Sequence, residues 1–174
     1  KSETLFFENF DKNDFQKFLA KNNLLFCIKL HPKSKLNEEF KNIQSENIMV
    51  INKDADPYVF LKLADVLITD YSSIYFDYLL LDRPIIFFAY DLKEYLNDSR
   101  EMYFDYDEFT PGDKVNDYHK LKKSILRYVN FDNGKQDEYL DCRKKIREKV
   151  FENKIVNMNS IVYIIEEHIL KDGA

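Results

Sequence analysis

The chain has 174 residues, of which 45% are hydrophobic and 16% are aromatic, and its formal net charge is −5. This composition excludes a disordered chain, and apolar runs such as Ile85–Tyr90 are far shorter than the roughly 20 residues of a membrane span. The acidic balance disfavours nucleic acid as a partner. The three glycines stand apart from one another, so neither a G-x-G-x-x-G fingerprint nor a Walker A loop exists. Cys27 and Cys142 suggest no disulfide framework and favour the reducing cytoplasm.

Segments of helical period alternate along the chain with short, continuous apolar runs. Phe15, Phe18 and Leu19 fall at i, i+3 and i+4, and Asp56-Pro57 has the pattern of a helix N-cap followed by a first-turn proline. The predicted helices are 12–22, 36–44, 57–64, 73–81, 117–129, 138–151 and 158–170. The predicted strands are Leu24–Leu30, Ile48–Ile51, Val66–Thr69 and Pro84–Ala89.

Strands that are apolar on both faces and separated by helices indicate a parallel sheet covered on both sides. The predicted fold is therefore α/β and Rossmann-like, and residues 1–174 form one domain because no linker or repeat interrupts them. Two of the late helices show clear apolar stripes, which are expected to be buried. These stripes are Tyr139, Cys142, Ile146 and Val150 in the first helix, and Ile161, Ile164, Ile165 and Ile169 in the second.

In open parallel sheets, ligands bind at the carboxyl ends of the strands. Three segments are expected there: residues 29–32, residues 69–73 and residues 89–91. In the middle segment, Ser72 and Ser73 stand where a helix begins, which suits an anion but equally suits simple N-capping. His31 can donate to a phosphoryl oxygen, although a histidine after a strand is more often a packed or capping residue.

Charge is distributed unevenly in the second half of the chain. Residues 91–113 carry eight acids and two bases, whereas residues 114–154 carry twelve bases and seven acids. Solvated helix faces explain this pattern, and a basic surface for an anionic polymer or membrane is the alternative. Three acidic residues, Asp105, Asp107 and Glu108, are expected in a surface loop, and His119 and His168 on the surface. No metal ion and no cofactor is predicted.

Several motifs in order resemble one enzyme family. They are Ile28-Lys29-Leu30-His31-Pro32, the stretch from Leu63 to Asp77 containing Thr69-Asp70-Tyr71-Ser72-Ser73, the stretch Arg83–Asp91, then Tyr103-Phe104-Asp105 and Pro111-Gly112. This series is similar to the CDP-glycerol:poly(glycerophosphate) glycerophosphotransferases, the teichoic-acid polymerases and primases, with relatives in capsule synthesis. The likeness covers about residues 24–112 well, and a weaker match includes Ser160-Ile161. The family's Pro-Gly-Pro reads Pro111-Gly112-Asp113 here.

The resemblance implies the C-terminal, donor-binding half of a GT-B-like transferase. His31 would contact the donor diphosphate as the catalytic group, and Ser72 and Ser73 would hold phosphate. The remaining residues that the resemblance and the strand ends assign to substrate binding are Lys29, Pro32, Asp70, Tyr71, Tyr90, Asp91 and Ser160. The implied donor is CDP-glycerol or a related cytidine nucleotide, and the implied acceptor is a hydroxyl of an anionic polymer or primer. CMP would be released, and the general base would lie on an N-terminal domain.

The sequence leaves two other functions open. A transferase for CMP-sialic acid or another nucleotide sugar would bind its nucleotide in a similar way. A non-enzymatic α/β interaction domain of similar length is the second alternative. A doubly wound sheet normally opens with a strand, and none precedes the first predicted helix. We therefore expect a fragment of a longer two-domain enzyme, which alone binds nucleotide without transferring it. The full-length enzyme is expected in the cytoplasm, peripheral on the inner face of the bacterial membrane.

Overall fold

A computed structural model describes residues 11–29, 45–52, 54–89, 92, 105–129 and 137–151. Helices and strands alternate in these parts of the chain, as predicted for the α/β class. In chain order they are α1 (Lys12–Lys21), β1 (Phe26–Ile28), β2 (Ile48–Val50), α2 (Pro57–Leu61), β3 (Leu67–Thr69), α3 (Ile74–Tyr78), a 3-10 turn (Leu79–Leu81), β4 (Ile85–Phe88), α4 (Tyr106–Phe109), β5 (Asp113–Val115), α5 (Tyr118–Val129) and α6 (Leu140–Phe151). The helices predicted at 36–44 and 158–170 lie outside the described residues.

The ends of two helices follow from local chemistry. Asp11 caps α1 by accepting from the backbone N–H groups of Asn13 and Asp14, and Asp56 caps α2 by accepting from that of Tyr58. The helix predicted at 73–81 is divided, because its last turn tightens into the 3-10 turn. That turn ends at Asp82 in the left-handed conformation, with φ 55°.

The strands form two parallel sheets. In the first, β1 pairs with β2, and in the second the order is β3-β4-β5. Thr69 lies opposite Phe87, and Phe88 lies opposite Val115. The parallel pairing predicted from the apolar runs is therefore confirmed, and among the described residues it is divided between two sheets.

Strand β4 is the centre of the second sheet, and it is buried along its whole length. Its alternate residues face two different apolar clusters, as the period of a strand requires. On one face, Ile86 and Phe88 pack with side chains of α1 and α5, among them Phe15, Leu19, Leu121, Ile125 and Tyr128. On the other face, Ile85 and Phe87 pack with Tyr75, Tyr78, Leu79, Phe109 and Ile146. Helices thus cover both faces, as predicted.

The stripe predicted on α6 is only partly confirmed. Ile146 is buried, and Cys142 and Val150 pack against the same cluster. The sequence pattern missed Arg143, whose side chain is 1% exposed and pairs with Asp137. A charged residue therefore lies at the most buried position of α6, because its acidic partner comes from just before the helix.

Asp113, which stands where the resembling family has proline, begins β5. Its carboxylate accepts from the Ser124 hydroxyl and, at 3.0 Å, from Nη1 of Arg127. Arg127 also contacts Glu138 at 2.8 Å. The aspartate thus ties the first residue of β5 to α5 through hydrogen bonds that proline could not make.

Gly112 is expected to tolerate no side chain. A Cβ atom at this position would lie 2.1 Å from the backbone oxygen of Ile85 and 3.2 Å from the ring of Phe87. Because β4 is packed on both faces, Gly112→Ala should lower the free energy of unfolding by about 1–3 kcal/mol. Urea denaturation measures this change, and a midpoint equal to that of the unmodified protein would contradict it.

Candidate functional site

The carboxyl ends of β3 and β4 lie side by side and carry two of the three predicted segments. Residues 70–73 follow β3 directly, and the register of Thr69 with Phe87 brings that loop next to the end of β4. Lys29 follows β1 in the other sheet and is half-buried. His31, Pro32, Tyr90, Asp91 and Ser160 were also predicted to bind substrate, and they lie outside the described residues.

The loop after β3 is organised by an aspartate rather than by its serines. Oδ1 of Asp70 accepts from the backbone N–H of Ser72 at 2.7 Å. Ser73 stands at the N-cap of α3, but its side chain makes no capping hydrogen bond. Both Ser72 and Ser73 are exposed. Simple N-capping by Ser73 is therefore not observed, and the exposed hydroxyls can meet a ligand.

Aromatic side chains pack against one another beneath this loop. The ring of Tyr75 lies 5.2 Å from that of Phe87, edge to face, and the ring of Tyr106 lies 6.3 Å from Phe87 in the same manner. Burial raises the pKa of Tyr75 to about 12. Burial also raises the pKa of Tyr106, and the negative charge of Asp70 adds to the shift. Both hydroxyls are therefore protonated at neutral pH and can donate hydrogen bonds.

Sequence reasoning missed Tyr75 and Tyr106 as neighbours of the loop. Tyr75 lies two residues beyond Ser73 within the resembling motif, so its place beneath the loop could have been inferred from the helical period. Tyr106 follows the Tyr103-Phe104-Asp105 motif, and α4 brings it under the end of β4. Only the packing of α4 on Phe87 reveals that proximity.

The acidic residues Asp105, Asp107 and Glu108 lie on the surface, but Asp107 and Glu108 belong to α4 and Asp105 is its N-cap, so they do not form the predicted loop. Asp105 caps α4 by accepting from the backbone N–H of Glu108 at 3.0 Å. In the ranges that the structure describes, no group of three or more histidine, cysteine or acidic residues could hold a metal ion.

Of the ten basic side chains that the structure describes in the second half of the chain, seven have acidic partners. Lys122 lies 2.6 Å from Asp14, and Lys149 lies 3.2 Å from Glu108. The hydrogen bond from Lys122 is the main cause that lowers the pKa of Asp14. These pairs favour the simpler of the two interpretations, in which the charges belong to solvated and paired helix faces. His119 is exposed, as predicted.

No described helix combines the length and the apolar character that crossing a membrane would require.

A family model described as CDP-Glycerol:Poly(glycerophosphate) glycerophosphotransferase matches residues 1–163. A teichoic acid poly(ribitol-phosphate) polymerase of Bacillus spizizenii is 35% identical over 59% of the chain and 17% of its own length. The ribitol-phosphate polymerase TarL of Staphylococcus aureus is 32% identical over 67% of the chain and 21% of its own length. A glycerol-phosphate primase of Bacillus spizizenii is 33% identical over 62% of the chain and 30% of its own length.

Solved structures give the same result. The wall teichoic acid polymerase TagF superposes with a TM-score of 0.63 at 25% identity, over 93% of this chain and 37% of TagF. A histidine-to-asparagine variant of TagF soaked with CDPG superposes with a TM-score of 0.64 at 25% identity, over 96% of this chain and 39% of TagF. The chain thus spans less than a third of the three curated relatives described and under two fifths of TagF. Because the family model matches nearly its whole length, the chain belongs to the CDP-glycerol:poly(glycerophosphate) glycerophosphotransferase family.

Proposed function

We propose that this chain is the donor-nucleotide domain of a glycerophosphotransferase and binds CDP-glycerol or a related cytidine nucleotide. The observation that carries the proposal is the loop 70–73 at the carboxyl end of β3, with two exposed serine hydroxyls, in a chain of this family. A strand end in an open parallel sheet is where nucleotides bind. The names of the relatives include both glycerol-phosphate and ribitol-phosphate enzymes, which supports a CDP-linked alditol as the donor.

In the proposed reaction, a hydroxyl of the acceptor polymer or primer attacks the β-phosphorus of CDP-glycerol in line. The new P–O bond forms as the bond to the bridging oxygen breaks, and CMP leaves with that oxygen. The acceptor proton passes to a general base outside the described residues. This domain contributes positioning and charge stabilisation. His31, Ser72 and Ser73 would donate to the diphosphate, and Lys29, Tyr90 and Asp91 would line the same edge.

Residues 1–174 are proposed to be one domain of a longer, two-domain transferase. The short coverage of the relatives supports this.

Transfer is proposed to occur on the cytoplasmic side of the membrane. Cys27 and Cys142 are both free, which fits a reducing compartment. A peripheral contact with the inner face of the membrane is proposed for the whole enzyme, where the acceptor polymer is held.

Titration of the 15N-labelled chain with CDP-glycerol tests the proposed site. Chemical-shift changes are expected to cluster at residues 29–33, 70–74 and 89–91, because phosphate-binding groups are placed there. CMP-sialic acid and a UDP-sugar, added in parallel, show whether the donor is an alditol or a sugar. No CMP is expected from CDP-glycerol with a glycerophosphate primer, since the general base is placed on another domain. Shifts confined to α5 and α6 would contradict the site, and robust turnover by the chain alone would contradict the two-domain proposal.

A further inference from the structure

In the loop 70–73, which is proposed to bind the nucleotide, the carboxylate of Asp70 already accepts a hydrogen bond from a backbone N–H group. Its Oδ1 lies 2.7 Å from the backbone nitrogen of Ser72. A diphosphate would bring further negative charge to this loop, and like charges at contact distance repel each other strongly where water is partly excluded. The Ser72 N–H therefore becomes available to a phosphate only when the Asp70 carboxylate turns away from it.

A second hydrogen-bond donor lies buried beside this loop. The hydroxyl oxygen of Tyr106 is buried and has no hydrogen-bond partner among the described residues. Its ring contacts Phe87, whose neighbour in the register is Thr69, the residue before Asp70. A buried hydroxyl without an acceptor is unfavourable, and such groups are rare in folded proteins. The fold thus holds an unused donor under the end of β3.

Asp70 is the acidic side chain with the largest electrostatic effect on the Tyr106 hydroxyl. After burial, the charge of Asp70 is the next largest cause that raises the pKa of Tyr106, and it exceeds that of Asp107. The register of β3 with β4 places Asp70 one residue beyond the position opposite Phe87, and the ring of Tyr106 packs on Phe87, so Asp70 and Tyr106 lie at the same end of the sheet.

We infer that Tyr106 is a positioning residue for the nucleotide loop: when a phosphate takes the Ser72 N–H, the Asp70 carboxylate accepts from the Tyr106 hydroxyl instead. The inference rests on the proposed function, because the phosphate belongs to the cytidine nucleotide. In the exchange the Ser72 N–H keeps an acceptor, the Asp70 carboxylate keeps a donor, and the Tyr106 hydroxyl gains a partner. The negative charge of Asp70 is then stabilised by a hydrogen bond and no longer faces the phosphate.

Tyr106→Phe tests this role, and Tyr128→Phe is the matched control. Tyr128 on α5 has a buried hydroxyl that likewise lacks a partner among the described residues, but it packs in the cluster on the opposite face of β4. Tyr106→Phe should weaken the binding of CDP by about threefold to tenfold, the factor that corresponds to one net hydrogen bond. Tyr128→Phe should bind CDP as the unmodified chain does. Neither variant should lower the thermal midpoint, because each removes an unsatisfied hydroxyl.

The background of Asp70→Asn distinguishes positioning from direct ligand contact. Asparagine carries no charge, so the loss caused by Tyr106→Phe should shrink in that background. An equal loss in both backgrounds would overturn the inference, as would unchanged CDP affinity in Tyr106→Phe while the unmodified chain binds CDP. Failure of the unmodified chain to bind either CDP or pyrophosphate would instead overturn the proposed function, and this inference with it.

Discussion

Replacing His31 with alanine in the complete transferase is expected to lower turnover by about 10²–10³-fold, which corresponds to about 3–4 kcal/mol of transition-state stabilisation. His31 is the third residue after β1 in the sequence, and it is proposed to contact the donor diphosphate. Charge grows on the departing CMP as the bridging bond breaks. A donor fixed at that phosphate therefore acts most strongly in the transition state.

The comparison variant for this experiment is His119→Ala. His119 is exposed in the first turn of α5, which follows the outer strand β5, and it is not among the proposed donor-binding residues; its replacement should leave CMP release unchanged. Ser72→Ala should weaken nucleotide binding more modestly than His31→Ala, because the backbone donors of the loop are retained. The thermal midpoint of His31→Ala should equal that of the unmodified enzyme. Near-normal turnover, or a variant that does not fold, would show that His31 is a packing residue.

Much of the fold could be predicted because apolar runs report burial directly. Ile85–Phe88 reads as a strand in the sequence and proves to be buried on both faces. Strand β5 was missed because only Val115 of its three residues is apolar. The position of β5 in the sheet is determined by its backbone pairing with β4, and such pairing produces no pattern of apolar residues in the sequence. Helix α4 was missed for a related reason, since four residues are too few to show a helical period.

The candidate site was predictable only as far as chain order determines it. A parallel sheet brings the loops that follow its strands to one edge, so the order of strands and loops alone places residues 70–73 beside the end of β4. The approach of Tyr106 to Asp70 could not be predicted, because it depends on how α4 packs against Phe87. The Asp70–Ser72 hydrogen bond is local, and aspartate commonly accepts from the residue two positions later.

Arg143→Met is expected to lower the free energy of unfolding by about 3–5 kcal/mol, the range for breaking a buried ion pair from one side. The Arg143 side chain is 1% exposed and contacts the Asp137 carboxylate, which is 11% exposed. Its Nε also lies 3.8 Å from Oδ1 of Asp82, the left-handed residue that ends the 3-10 turn before β4. Methionine fills the same space but leaves the Asp137 carboxylate buried without a positive partner.

Arg147→Met provides the contrast on the same helix. Arg147 lies one turn later, its side chain is 31% exposed, and its Nη1 is 3.7 Å from Oδ2 of the same Asp82. A partly exposed pair at this distance contributes at most about 1 kcal/mol, so chemical denaturation should separate the two variants clearly. Adding Asp137→Asn to Arg143→Met should recover part of the lost stability, because the buried carboxylate that has lost its positive partner is then removed. If the double variant were less stable than Arg143→Met alone, the loss would have to come from packing around α6 and not from the unpaired charge.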